Sequence, residues 1–361
     1  MTSVIRPLST YYSSIQGKNI VAKNRSEIET LGKELATGLK ADVARSLGMR
    51  TSQSINLRNL MGQNDEYLLS NKLTDNKLEV LADQVGNIRE DAQSFLNLAV
   101  SNTTNKTTTA KTLQLEAKAK LDAVIRSMNT NYNGEFLFSG VDSDKKTVSS
   151  PNETNPNTGH SPMGVVKAII GGGITSLADA NTKMAEIDDI FNSIFPADPT
   201  QNFESTFFNG TPLLDAGGTP NARMLTKPDE ESIVEYGIQA NDPEFRNVLK
   251  GLFMMASIDV TTINDPDAYK AWVGESVKSI SNGIDNIIVT ETKLGGHQRE
   301  IVQAIEIQED KRTVFNNRIV AMEHVDLFEA QTRMTALEVQ MQATFSTTAK
   351  LARLTFLDYL R

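Results

Sequence analysis

The stretch from His297 to Leu360 contains neither glycine nor proline, and it constrains the fold more than any other part of the chain. Alanine, leucine, methionine, glutamine, glutamate and arginine dominate it, and this composition predicts helix. At about 1.5 Å per residue the helix would extend roughly 95 Å, several times the mean length of a helix in a globular protein. A single compact domain cannot surround such a helix, so it must lie along another one.

The apolar residues of this stretch form a narrow stripe, because they advance by threes and fours. Its members are Ile301, Ile305, Phe315, Ile319, Met322, Met334, Leu337, Met341, Phe345, Thr348 and Ala352. The phase of the stripe then slips, because Val325, Leu327 and Phe328 are too close together to share one face. We therefore predict two helices in tandem, with a break between Met322 and Phe328 that is either a hinge or an unwound turn.

The end of the chain carries apolar side chains in almost every direction around a helix. These residues are Leu351, Leu354, Phe356, Leu357 and Leu360. A lone helix with that surface would aggregate. Either the tail folds back onto its own chain, or other copies or other proteins bury it in an assembly, and we favour the second.

The composition favours elongated helices over thick cores. Of the 361 residues, 39% are hydrophobic and 6% aromatic, which is low for compact globules. The net charge of -9 is spread along the chain, and this argues against nucleic acid or an anionic membrane as a partner. The chain contains no cysteine, which excludes disulfides, thiolate metal sites and a cysteine nucleophile. We expect no ordinary secretory signal and no membrane span.

The N-terminal segment has the apolar pattern of a helix that could pack against the C-terminal stripe. Its apolar residues recur at helical spacing in two runs, Ile5, Leu8, Tyr12 and Ile15, then Ile28, Leu31, Leu35 and Leu39. Ser26 and Glu29 have the spacing of a capping box for the second run, and Gly38 is expected to end it. Residues 39–54, with Gly48 and scattered charges, predict an irregular connector.

Two further helices follow, and they should pack antiparallel. One is predicted from Ile55 to Val100 and the other from Leu113 to Met128, with a polar turn at Ser101–Thr109 between them. Asn133-Gly134 predicts a tight turn and Glu135–Phe138 a short strand. Together they indicate a hairpin beside the helices.

The middle of the chain predicts a separate small domain. Residues 142–164 are rich in serine, asparagine, threonine, proline and glycine and predict a loop. The elements expected after it are strands at Val165–Ile170 and Ser232–Tyr236 and a helix at Leu177–Phe195, with core side chains from Phe203, Phe207 and Phe208.

Two Asp-Pro pairs mark helix starts, because each places an N-cap aspartate before a proline at the first helical position. They are Asp242-Pro243 and Asp265-Pro266, and the second helix is expected to end at Gly295-Gly296. The predicted fold class is therefore mainly α. Long antiparallel terminal helices form a coiled-coil-like bundle with a small β-hairpin, and a small α/β domain is inserted.

No motif in the sequence indicates catalysis or metal binding. His160, His297 and His324 are far apart, and none has a carboxylate or a second histidine at metal-ligand spacing on a helix. The triplet Gly171-Gly172-Gly173 lacks the lysine of a phosphate loop, and no G-x-S-x-G elbow occurs. An enzyme or binding site would have to lie between Val165 and Ser257, and we predict neither catalysis nor a cofactor.

Several segments resemble the flagellin-like family of bacterial flagellar axial proteins. They are Leu31–Leu39 (LGKELATGL), Asn131–Gly140 (NYNGEFLFSG), Leu294–Ile301 (LGGHQREI) and Glu338–Leu360 (EVQMQATFSTTAKLARLTFLDYL). The last segment is more similar to the ending of the family's hook-filament junction proteins than to the shorter ending of filament flagellins. The connector Leu39–Met49 also lacks the N-S-A-x-D-D-A run that is usual in flagellins.

The resemblance implies a structural subunit that an export chaperone delivers to the flagellar type III apparatus and that assembles outside the cell. The partners it implies are the first hook-associated protein, flagellin and lateral copies of the same chain, with filament flagellin as the alternative identity. No cofactor is implied.

The resemblance also implies a division of the chain into layers. Residues 1–39 and 324–361 would form an inner layer, residues 40–140 and 258–323 a helical shell, and residues 141–257 an inserted domain. We expect the inner layer to be disordered in the free subunit, because burial of its apolar side chains alone does not offset the entropy of ordering it. The expected assembly interface consists of Ile5, Leu8, Tyr12, Ile15, Leu31, Leu35, Met334, Leu337, Met341, Phe345, Leu351, Leu354, Phe356, Leu357 and Leu360.

Overall fold

Helices dominate the computed structural model of the chain, which describes residues 10–104, 106 and 108–353. The helices are α1 (Thr10–Thr37), α2 (Val43–Leu47), α3 (Thr51–Val100), α4 (Leu113–Met128), α5 (Pro162–Ile170), α6 (Leu177–Phe191), α7 (Pro243–Ser257), α8 (Pro266–Glu323) and α9 (Leu327–Arg353). The strands form two antiparallel hairpins, β1 (Asn131–Tyr132) with β2 (Glu135–Phe136) and β3 (Leu225–Thr226) with β4 (Val234–Glu235). The fold is therefore mainly α, as predicted.

The chain divides into two compact units. The terminal unit comprises residues 1–66 and 308–361, and the central unit comprises residues 67–307. Helices α3 and α8 contribute residues to both units. The finer division into five segments that was expected from the sequence stays a prediction.

The core of the central unit follows from heptad spacing in α3. Its buried residues advance alternately by three and four and are each at most 2% exposed: Leu78, Leu81, Val85, Ile88, Ala92, Phe95 and Ala99. That spacing keeps one seam of the helix facing a partner over many turns. Helix α4 buries Leu113, Ala117, Leu121, Val124 and Met128 in the same core and packs against α7. Both helices confirm the predictions for this region.

Aromatic side chains from the middle of the chain belong to the same core. The ring centroids of Phe191 and Phe207 lie 5.2 Å apart, and those of Phe207 and Phe253 lie 5.3 Å apart. Phe203, Phe207 and Phe208 are all buried, which confirms the expectation that they supply core. The segment that carries them contains a π-helical turn at Phe203–Phe207.

Val165–Ile170 is part of helix α5, so the predicted strand is wrong. The Ser161 hydroxyl caps the helix by accepting a hydrogen bond from the Gly164 amide at 3.2 Å, and Pro162 occupies the first turn. Gly171 ends it with a positive φ of 57°. The periodicity of a short apolar run does not distinguish a strand from a helix. Here the preceding Ser161-Pro162 pair favours a helix start.

Three predicted helix limits are also wrong. Helix α8 continues through Gly295-Gly296, because Leu294 and Ile301 on either side are buried and their packing outweighs the cost of two helical glycines. Helix α1 is continuous through Ser26, so no capping box starts there. Helix α6 ends at Phe191 rather than Phe195, since Ser193 has a positive φ of 59°.

Both Asp-Pro helix starts are confirmed, but only one aspartate caps its helix. The Asp265 carboxylate accepts hydrogen bonds from the amides of Asp267 and Ala268 at 2.9 and 3.3 Å. Asp242 makes no such bond, because its two carboxylate oxygens accept from the Arg223 guanidinium at 2.5 and 3.0 Å. Helix α7 therefore starts with a proline in its first turn and has no side-chain cap.

Candidate assembly interface

Helices α1 and α9 pack against each other in the terminal unit, and they carry the predicted interface residues that the structure describes. Of these residues Leu31 is buried, Leu35, Met334, Leu337 and Met341 are half-buried, and Tyr12, Ile15 and Phe345 are exposed. Ile5, Leu8, Leu354, Phe356, Leu357 and Leu360 lie outside the described residues, and so does the side chain of Leu351. The pairing of the two helices thus covers only part of the apolar stripe.

The described residues of α1 and α9 include an ion pair and one close approach between the helices. Arg333 of α9 forms an ion pair with Glu27 of α1. A Cβ atom added to Gly17 would lie 3.2 Å from the Thr348 hydroxyl, so this glycine lets the helices approach closely. Asn24 is 5% exposed, yet its Nδ2 has no hydrogen-bond partner among the described residues.

A three-residue joint, His324–Asp326, separates α8 from α9, which confirms the predicted break. The Lys40 amide donates to the Glu323 carbonyl at 2.9 Å, and the Val325 amide donates to the Gly38 carbonyl at 3.1 Å. The Asp326 carboxylate then caps α9 by accepting from the Phe328 and Glu329 amides. The joint is therefore a defined structure and not a loose hinge.

The end of α8 at the joint carries a buried carboxylate. The Glu323 side chain is 4% exposed and accepts hydrogen bonds from Arg58 Nε at 3.0 Å, from Arg58 Nη2 and from the Ser54 hydroxyl. The Arg58 bonds, opposed by burial and helped by Ser54, hold the pKa of the Glu323 carboxyl below its ordinary value. Lys40 Nζ donates to the Met322 carbonyl at 2.6 Å. The positive charge is favourable there, because the carbonyl end of a helix carries partial negative charge.

Several exposed apolar residues of the terminal unit were not among the predicted interface residues, and Met49, Phe328 and Leu327 are three of them. Met49, between α2 and α3, is 97% exposed, and Phe328, in the first turn of α9, is 83% exposed. Leu327 beside it is also exposed. The sequence contained a signal for Leu327 and Phe328, since these two residues break the phase of the stripe. Met49 carried none, because a lone methionine in a polar connector has no periodicity.

Searches of the described part of the chain for metal-binding clusters and for membrane-spanning helices found neither. No group of three or more histidine, cysteine, aspartate or glutamate side chains within it could hold a metal ion. None of the helices seen there has a stretch that is both long and apolar enough to cross a bilayer. One open pocket of about 330 Å³ in the central unit is lined mostly by polar side chains, and Arg223 in its wall forms an ion pair with Asp242.

Two family models match the chain at its two ends. The bacterial flagellin N-terminal helical region matches residues 8–143, and the bacterial flagellin C-terminal helical region matches residues 277–360. Among solved structures, a candidate flagellar hook-associated protein from Vibrio parahaemolyticus is similar, with a TM-score of 0.49 and 11% sequence identity. The similarity covers 76% of this chain and 98% of that one. No curated protein is similar enough to count as a match.

The two matched regions together span more than half of the chain. Helices α1 and α9, which pair in the terminal unit, lie wholly within them. The resemblance seen in the short sequence segments is thereby confirmed. The chain belongs to the flagellin-like family and is a structural component of the bacterial flagellum.

Proposed function

We propose that this chain is the subunit that joins the flagellar hook to the filament, of the hook-associated protein 3 type. The observation that carries the proposal is the ending Glu338–Leu360, which resembles that of junction proteins and differs from the shorter ending of filament flagellins. The altered connector Leu39–Met49 points the same way. The role is structural and not enzymatic. The subunit leaves the cell through the flagellar type III apparatus, after binding an export chaperone.

A junction subunit differs from a filament subunit in what its two axial faces fit. Head-to-tail contacts between identical copies continue into an open helix unless the rotation closes them. A filament subunit therefore needs axial faces complementary to each other. A junction subunit needs a lower face that fits the first hook-associated protein, an upper face that fits flagellin, and self-contacts that are chiefly lateral. Its growth then stops after a limited layer.

The terminal unit supports a role in assembly. Its paired helices leave Tyr12, Ile15 and Phe345 exposed, and Met49 in the connector and Phe328 in the first turn of α9 add exposed apolar surface. Monomeric soluble proteins rarely expose large contiguous apolar patches, and such surface is typical of sites that bind other chains. We assign this surface to contacts with neighbouring subunits.

Filament flagellin is the second candidate. The models that match both ends of the chain are those of flagellin helical regions. Flagellins and junction proteins share these regions, so the matches are compatible with either role.

Polymerisation separates the two candidates. We expect the pure protein to remain monomeric, or to form short irregular oligomers, at concentrations where a flagellin polymerises. Added to hooks that end in the first hook-associated protein, it should cap them and permit flagellin to grow. Negative-stain electron microscopy and sedimentation measure both outcomes. Long regular filaments grown from this chain alone would replace the junction assignment with the flagellin one.

A second expected result concerns order at the ends of the chain. Burial of the nine apolar residues between Met334 and Leu360 contributes on the order of 14 to 27 kcal/mol. Ordering the roughly 35 residues that carry or flank them costs about 35 to 70 kcal/mol of backbone entropy, which helical hydrogen bonds offset only in part. Amide hydrogen exchange across Ala343–Leu360 should therefore be fast in the free subunit and slow after assembly. Slow exchange in a monodisperse monomer would contradict this.

A further inference from the structure

The connection from β2 to α5 is long for a compact unit. It spans residues 137–161, all of which the structure describes, and none of them lies in a helix or strand. Loops of more than about 12 to 15 residues without secondary structure are uncommon, and those that stay ordered commonly carry a function. Fixing the backbone of each residue also costs conformational entropy. A role beyond joining β2 to α5 is therefore expected of this connection.

Asparagine side chains hold the connection in place. At the end of α4, Asn129 Nδ2 donates to the Val148 carbonyl at 2.8 Å, and the Val148 amide donates to Asn129 Oδ1 at 2.9 Å. Asn155 is 3% exposed, and its Nδ2 donates to the Ser205 and Thr206 carbonyls at 3.2 and 3.3 Å. The connection is thereby fixed against the segment that carries the π-helical turn.

An open cleft of about 510 Å³ lies between the connection and this segment. Its walls come from residues 145–157 and 204–210, and both belong to the central unit. Binding pockets for small molecules generally have volumes of about 300 to 1,000 Å³. Neither matched flagellin region, residues 8–143 or 277–360, includes any part of the walls. One wall also lies ahead of Val165, outside the range in which the sequence placed any binding site.

Two of the four charged side chains of the cleft, Lys146 and Glu153, form an ion pair. Lys146 Nζ donates to Glu153 Oε2 at 2.6 Å and to the Ser150 hydroxyl at 3.0 Å. The hydrogen bond from Lys146, and then those from the Ser150 amide and hydroxyl, lower the pKa of the Glu153 carboxyl to about 2. Glu153 therefore stays ionised and paired with Lys146 at neutral pH.

The other two charged side chains, Lys145 and Glu204, are engaged as well. Lys145 forms an ion pair with Asp142 at 3.1 Å. Glu204 Oε1 accepts hydrogen bonds from the Leu213 amide at 2.9 Å and from Asn241 Nδ2 at 2.7 Å. A charged ligand would have to displace one of these partners or leave its own charge unpaired, and either is costly. The cleft therefore favours a neutral ligand.

The other polar side chains of the cleft are neutral, and three of them, Thr154, Asn157 and Ser205, are exposed. A hydroxyl offers one donor and two acceptor sites, and an amide side chain offers donors and an acceptor in one plane. The Ser205 hydroxyl donates to the Pro199 carbonyl at 3.0 Å, so its oxygen can still accept. Pro156 adds exposed apolar surface to the same wall. Sugar rings match both features, because their hydroxyls donate and accept and their C–H faces are apolar.

We propose that this cleft binds a neutral saccharide. Thr154, Asn157 and Ser205 hydrogen-bond its hydroxyls, and Pro156 contacts a C–H face of the ring. The hydrogen bonds that hold the connection fix the walls before the sugar arrives, and this reduces the entropy lost on binding. Saccharide binding is an activity separate from assembly, and it does not depend on which flagellar role the chain has.

Saturation-transfer NMR on the full-length monomer tests the cleft, because the method detects weak binding of unlabelled sugars. The probes are glucose, galactose, mannose and N-acetylglucosamine, with glucuronate as the charged counterpart of glucose. We expect saturable transfer to at least one neutral sugar and weaker transfer to glucuronate. The absence of transfer to every neutral sugar, or transfer to glucuronate that is equally strong, would overturn the proposal.

Two substitutions at exposed positions of the wall locate the bound sugar. Thr154→Val and Asn157→Leu remove hydrogen-bonding groups and nearly keep side-chain size, and each should weaken binding about 2- to 12-fold, the effect of one lost hydrogen bond. Asn152→Leu is the matched control, since Asn152 is exposed on the same connection but does not line the cleft. The control should bind sugar as the parent does, and all three variants should keep the parental melting temperature. Unchanged binding in both cleft variants, or an equal loss in the control, would show that the sugar does not occupy this cleft.

Discussion

Leu121→Asp should lower the melting temperature of the central unit strongly, whereas Leu337→Asp should leave that melting temperature unchanged. Leu121 is 1% exposed in the core that α4 shares with α7. A carboxylate there has no partner, and burying it costs several kcal/mol against a typical domain stability of about 5 to 15 kcal/mol. Leu337 is half-buried on α9, in the other unit, where a charge can turn toward water. Calorimetry of both variants measures the difference.

Assembly should reveal a defect of Leu337→Asp that melting does not. Leu337→Asp should fold yet fail to add to hook ends, because its charge lies on the stripe assigned to subunit contacts. Leu121→Met serves as a control for the core position, since a swap that conserves volume costs less than about 1.5 kcal/mol. Equal losses of melting temperature for the two aspartate variants would show that α9 is packed as firmly as the core, and that the terminal stripe is not reserved for assembly.

The predictions that the structure confirms came mainly from apolar residues that recur at helical spacing over long segments. The seam of α3 repeats over six intervals of three or four residues, and tertiary packing at each step reinforces the same face. Helices α3 and α4, the break after α8 and the two Asp-Pro starts were therefore predictable. Short or local signals failed where packing competed with them. Val165–Ile170 is too short for its period to decide, and Gly295-Gly296 lies between two buried residues that keep α8 helical.

The candidate interface was predictable only where it follows from the regular spacing of apolar residues. The stripe on α9 follows from spacing, and the structure places its described members on a helix paired with α1. The contacts that define the joint have no such signal. Arg58 and Glu323 are 265 residues apart, and nothing in either local sequence identifies the other as its partner. Exposed side chains such as Met49 are likewise visible only once the chain is folded.

Close approach of α7 and α8 is another feature that periodicity does not reveal. A Cβ atom added to Gly283 would lie 2.7 Å from Val248 Cγ2 and 2.8 Å from the Glu244 carbonyl oxygen. On the facing helix, one added to Gly251 would lie 2.5 Å from Ile280 Cγ1. The Ser276 and Ser279 hydroxyls donate to carbonyl oxygens of α7 at 2.9 and 2.8 Å. Two glycines and two serines thus let the backbones of the helices touch.

Gly283→Ala should therefore destabilise the central unit although alanine is the better helix former. In an open helical position the substitution stabilises by about 0.5 to 1 kcal/mol, and Gly274, which has no atom within 4 Å of an added Cβ, is such a position on the same helix. At Gly283 the methyl group meets backbone as well as a side chain, and overpacking of this kind costs about 1 to 3 kcal/mol.

Thermal unfolding of the two alanine variants should consequently move in opposite directions. At roughly 2 to 4 °C per kcal/mol for a unit of this size, Gly283→Ala should lower the melting temperature of the central unit by several degrees, while Gly274→Ala raises it slightly. Gly283→Leu should keep α7 from docking on α8 at all, because the larger side chain cannot be accommodated by a small shift of Val248. If Gly283→Ala instead gains stability as Gly274→Ala does, then α7 and α8 are not in backbone contact in solution.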